Sequence, residues 1–210
     1  MNGPIPHRFA VPALLALFLA CGFVSLSRDS VTFDETAHLA AGVSYLERGD
    51  FRLNPEHPPL GKLIAAAPLV LIDRGGGDYT SPAWTGRPFS ERDATRTRAS
   101  EWAFGFELLN GGRGGAPARD PETRLTPARC AILGLGVLLA LVVYAWARAL
   151  FGKPAGLLGL AMAVTCPTLL AHARLVTTDL PAALGFTATS WLVWRWLKAA
   201  SLRRAAFRRR

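Results

Sequence analysis

Apolar residues in this chain are clumped into long runs rather than spaced at a helical or strand period. Uncharged runs occupy residues 9–26, 130–147 and 154–171, and a fourth at 180–197 is interrupted only by Arg195. Each is roughly 18 residues, the lower part of the length that lets a helix cross a hydrocarbon layer of about 30 Å. The pattern predicts an all-α integral membrane protein, a single membrane domain with about four transmembrane helices. The second and third runs are joined by a short turn carrying Arg148 and Lys153, which predicts a helical hairpin with a positive tip.

Between the first two runs lies a long polar stretch, 28–129, expected to be a large loop that carries interfacial helices. Thr32 followed three residues later by Glu35 reads as a capping box, so a helix is expected from Phe33 to near Gly49, with Asp34, His38, Ala41 and Tyr45 on one face. Pro58 and Pro59 suit the first turn of a second helix, whose apolar stretch LGKLIAAAPLVLI is too short to span and is expected at the interface. Residues 73–129 hold glycine clusters, scattered prolines and mixed charge, a loop-rich composition in which 101–109, EWAFGFELL, reads as a short helix on the membrane face.

Charge sets the expected orientation. The 210 residues carry a net charge of +9 with 50% apolar composition, and the basic excess sits in short loops and in the acid-free tail 198–210 rather than in an aromatic-interleaved groove. That distribution argues against a nucleic-acid partner. The positive-inside rule places the tail, the 148–153 turn and the N-terminus with Arg8 in the cytoplasm. By elimination 28–129 and the short loop 172–179 share the opposite, extracytoplasmic side of a multi-pass protein of the plasma (inner) membrane. No small-residue cleavage site follows the first run, which is therefore expected to be a retained anchor. Cys21, Cys130 and Cys166 lie in or beside apolar runs, so no disulfide framework or CxxC metal spacing is available and they are expected to be core residues.

Thr32 to Lys62 concentrates polar groups at a membrane entry point: Asp34-Glu35, His38, His57 before a Pro-Pro step, and Lys62 alone in an apolar run. Each has a plain reading. Asp34 and Glu35 cap a helix, Asp179 caps the fourth span with help from Thr177 and Thr178, and Lys62 snorkels to headgroups. A lysine in that position otherwise needs an anionic partner.

Taken in order, the acidic pair after the first run, HPPLGK at 57–62 and HARLVTTDLP at 172–181 resemble the motifs of lipid-linked-sugar-dependent glycosyltransferases. The type is that of the protein O-mannosyltransferases and aminoarabinose transferases, family 39-like members of the GT-C superfamily, and the resemblance runs over roughly residues 9–197. It implies transfer of a sugar, with inversion, from a polyprenyl-phosphate donor to a protein, lipid or glycan acceptor outside the cytoplasm. On that resemblance Asp34 is the general base, with Glu35 and Asp179 as further catalytic acids, while Lys62, His57 and Arg174 hold the donor phosphate. Asp179 is then placed to orient the acceptor or Arg174. No cofactor is implied; the alternative is a divalent metal held by His38, His57, Asp34 and Glu35. Members of the family carry more spans, so the chain corresponds to their N-terminal part, with a downstream C-terminal half as a partner. The rival reading is a non-catalytic, lipid-carrier-binding membrane subunit that keeps the site's shape.

Overall fold

A computed structural model describes residues 7–73, 76–86, 100–111 and 120–207. All regular structure among them is helical: α1 (His7–Leu26), α2 (Phe33–Arg48), α3 (Pro59–Asp73), α4 (Pro82–Thr85), α5 (Glu101–Asn110), α6 (Pro121–Phe151), α7 (Lys153–Thr165), α8 (Pro167–His172) and α9 (Asp179–Phe207). Much of the segment expected to be loop-rich, within 74–75, 87–99 and 112–119, lies outside the described residues.

Among the described residues two helices are long and apolar enough to cross a membrane, α1 from Phe9 and α6. Only 17% of the α1 stretch and 33% of the α6 stretch is buried in the protein, too little for the core helices of a soluble domain. Leu17, Leu19, Phe23 and Val24 on α1, Leu158 and Met162 on α7, and Phe186, Leu192 and Trp196 on α9 are all exposed, as side chains facing lipid are. Cys21 and Cys130 are exposed and Cys166 half-buried, so the expected core placement of the cysteines is corrected: the uncharged runs carry them on outward faces.

The four expected spans do not all take the form the runs suggest. The 154–171 run is cut at Cys166, where the backbone turns extended (φ −68°, ψ 117°) ahead of Pro167. Proline's ring disfavours the helical conformation of the residue before it, and α7 alone rises only about 20 Å. α9 is long enough, but Thr187, Thr189, Ser190 and Arg195 interrupt its apolar character. At the second run the helix begins well before Cys130: Pro121 suits the first turn, and the Asp120 carboxylate accepts from the Thr123 amide at 3.3 Å. α6 and α7 form the expected hairpin, turning at Gly152 with φ 89°, a backbone conformation that a Cβ would strain.

Beside the spanning helices sits a helical head. α2 packs along α3 and α5, and α3 packs on α6. Leu39, Ala40 and Val43 of α2, Ala65, Ala66 and Leu69 of α3, Phe104 and Leu108 of α5 and Leu125, Ala128 and Ile132 of α6 form its buried core. α2 and α3 approach closely because Gly42 faces the α3 backbone; a Cβ there would overlap the Lys62 carbonyl oxygen. The expected helices at 33–49, after Pro58 and at 101–109 are all present as α2, α3 and α5. α3 buries one face between α2 and α6 while Leu60, Leu71 and Ile72 remain exposed.

Candidate active site

The acidic pair at the start of α2 is split between two environments. Asp34 is exposed and has no hydrogen bond or ion pair among the described residues, whereas Glu35, the next residue, is fully buried. Both the backbone N–H and the hydroxyl of Thr32 donate to Glu35 Oε2 at 3.0 Å, so the expected reach of the Glu35 carboxylate back to the helix start is present.

Glu35 does more than close the helix end. Arg129, buried on α6, donates Nε to Oε1 at 2.8 Å and Nη2 to Oε2 at 2.7 Å, and the Val176 amide donates to Oε1 at 3.0 Å. The rest of the guanidinium reaches the carbonyls of Leu26 (3.0 Å), Asp29 (2.8 Å) and Ser30 (2.9 Å). One ion pair therefore joins the end of α1, the start of α2, α6 and the segment before α9. Burial alone would raise the Glu35 pKa, but the bonds from Arg129, Val176 and Thr32 outweigh it and hold the carboxyl below its ordinary range. Arg129 was not recognised in the sequence. Its clue was the one that singled out Lys62: a lone cation at the mouth of an uncharged run.

The same folding brings the two acidic motifs to one end of the molecule. Arg174 forms an ion pair with Asp29, and a Cβ on Gly61 of α3 would meet the Pro181 ring of α9. Of the two roles open to Asp179, orienting the acceptor or Arg174, the second has no contact behind it: Asp179, exposed at the first residue of α9, lies 3.3 Å from His172 Nδ1. The reason is geometric, since Arg174 sits in the turn between α8 and α9 that faces the end of α1.

Lys62 is only 1% exposed. Its ammonium donates to the Asn54 carbonyl at 2.6 Å, to Asn54 Oδ1 at 2.9 Å and to the Tyr45 hydroxyl at 3.1 Å. Three donors meet three neutral acceptors, so the ammonium is satisfied here without the anionic partner the sequence suggested and without snorkelling. Burial lowers its pKa, with Glu56 and Glu101 opposing. Asn54 is the hub of this cluster: its φ is 47°, it receives Lys62, its Nδ2 donates to Glu56 Oε1 at 3.2 Å, and His38 Nδ1 lies 3.1 Å from its Oδ1. That last bond puts the ring proton of neutral His38 on Nδ1. The expected α2 face is realised in part: His38 and Tyr45 meet the 53–62 segment and Ala41 is buried, but Asp34 is exposed. His57 is exposed, its ring centroid 5.1 Å from that of His38. Burial first, and then repulsion from His57 and Lys62, lower the His38 pKa below its ordinary value.

Among the described residues no three His, Cys, Asp or Glu side chains converge to hold a metal ion. Of the four side chains considered for one, Glu35 is committed to Arg129.

Residues 123–206, from the first turns of α6 to the end of α9, match the family model described as dolichyl-phosphate-mannose-protein mannosyltransferase. The match covers 84 of the 210 residues, two fifths of the chain, and makes that segment similar to the family. The matched segment contains Arg129, Arg174 and Asp179; Asp34, His57 and Lys62 precede it. No curated protein and no solved structure matches the chain.

Proposed function

We propose that the chain is a GT-C membrane glycosyltransferase that, together with a downstream C-terminal half, transfers a sugar from a polyprenyl-phosphate donor to an extracytoplasmic protein, lipid or glycan acceptor; the match of residues 123–206 to the mannosyltransferase family model supports this reading. Asp34 is the general base that takes the proton from the acceptor hydroxyl or amine. The observation that carries this reading is the split of the acidic pair: Glu35 is locked to Arg129 and Val176, which sets the first turn of α2 against the 173–179 segment and leaves the Asp34 carboxylate unpaired and exposed beside it. An exposed carboxylate with no partner of its own is free to reach the acceptor's proton.

In this reading Glu35 positions the base rather than exchanging protons. Asp179 assists from the start of α9 through His172. The donor phosphate is met by His57 and Arg174, which are more accessible than Lys62, and by Lys62 when a phosphate oxygen replaces Asn54 Oδ1 in its coordination. No cofactor is needed for the proton transfer and phosphate departure so described.

The test uses the full-length enzyme, with its downstream half, and a polyprenyl-phosphate sugar. Asp34→Asn preserves size and much of the capping ability while removing the proton acceptor, so turnover should fall by about a hundredfold or more with donor affinity nearly unchanged. Near-normal turnover would return Asp34 to a helix cap. Donor binding with no turnover in the wild-type protein would favour the non-catalytic, carrier-binding rival.

A further inference from the structure

A second polar site lies at the far end of the spanning helices. Ala149 of α6 and Trp191, Trp194, Arg195, Lys198 and Ala199 of α9 line a pocket of about 420 Å³. Ala149 follows Arg129 by 20 residues on the same helix, a rise of about 30 Å, which is the thickness of a hydrocarbon layer. The pocket therefore sits at the membrane surface opposite the Asp34 end.

Its chemistry asks for an anion. Arg195 stacks over the Trp191 ring at 5.2 Å and Lys198 over the Trp194 ring at 5.0 Å, so the rings fix both cations in place while leaving their N–H donors available. The Trp191 indole N–H is buried and has no acceptor among the described residues. No Asp or Glu lies between Cys130 and Thr178, or from Leu180 to Arg210, to neutralise this end of the bundle. A buried donor and two ordered cations on an apolar aromatic floor match a ligand that is a phosphate on one side and acyl chains on the other.

We propose that this pocket binds the headgroup phosphate of an anionic phospholipid, held by Arg195 and Lys198 with its chains along α6 and α9. One hydrogen bond from each of the two cations to the phosphate corresponds to about thirtyfold in affinity. The turn cations Arg148 and Lys153 belong to the same membrane end but lie outside the pocket; Arg148 instead donates to the Tyr144 hydroxyl at 3.3 Å.

The experiment is native mass spectrometry of the full chain released from bilayers containing equal amounts of phosphatidylglycerol and phosphatidylcholine, with and without excess inorganic phosphate. The wild type should retain phosphatidylglycerol in preference, and inorganic phosphate should not displace it. Arg195→Gln with Lys198→Gln should lower the retained ratio by about thirtyfold, whereas Arg148→Gln with Lys153→Gln, an equal loss of charge, should change it less than about threefold. An equal loss in both pairs would overturn the proposal in favour of diffuse attraction to the surface. So would displacement by inorganic phosphate, or a wild type without preference; the wild-type arms hold even if a variant does not fold.

Discussion

Replacing Arg129 by methionine would leave most of the side chain's volume in place while removing every bond the guanidinium makes. Glu35 would keep the Thr32 and Val176 donors but lose its counter-charge in a fully buried site, and the carbonyls of Leu26, Asp29 and Ser30 would lose their donor. Breaking a buried pair by removing one partner costs about 3–5 kcal/mol, chiefly because the remaining charge is uncompensated. The origin of the cost gives the prediction its edge: adding Glu35→Gln, which neutralises that charge yet keeps an acceptor for Val176, should recover at least about 1 kcal/mol of the loss. Denaturant unfolding in mixed micelles followed by helical circular dichroism measures the energies. Hydrogen exchange at Val176 supplies a local readout that should quicken in the Arg129 variant. An Arg129→Met protein within about 1 kcal/mol of wild type, or a second substitution that adds to the damage, would refute the assignment of Glu35–Arg129 as the joint between α1, α2, α6 and the 173–179 segment. The same pair predicts acid sensitivity. Because the folded-state pKa of Glu35 is depressed, its contribution is complete above the unfolded value and is lost as pH falls below about 4.

Two further outcomes check the head and the orientation. His38 also has a depressed pKa, so the unfolded chain binds its proton first and stability should decline as pH falls below about 6.5; His38→Gln should flatten that part of the pH–stability curve, and an unchanged slope would show that another group carries it. For topology, in a chain whose native cysteines are replaced, an impermeant thiol reagent added outside intact cells should label Glu56→Cys and spare Ser201→Cys. The reverse pattern would place the Asp34 end in the cytoplasm.

Local chemistry written over a few neighbouring residues was legible without the fold. The α2 start at Thr32–Glu35, its end before Gly49, the Pro59 start of α3, the hairpin around Gly152 and the membrane character of α1 and α6 all follow from caps, prolines, glycines and uncharged length, which act within one or two helical turns. Register and partnership did not follow. The third run looked continuous until Pro167 imposed its restriction on Cys166, and α6 began at Pro121 because capping there outranks the boundary of the apolar run. The acidic pair read as two carboxylates of one site, Asp34 as base and Glu35 as capping partner and further acid; only packing decided that Glu35 is buried against Arg129, 94 residues away, while Asp34 stays exposed. Lys62 invited an anion, yet the Asn54 turn supplies three neutral oxygens that no spacing rule could have placed around it. An ion pair or buried ammonium depends on groups that meet through folding and on the exclusion of water from both, and neither is a property of the chain's order alone.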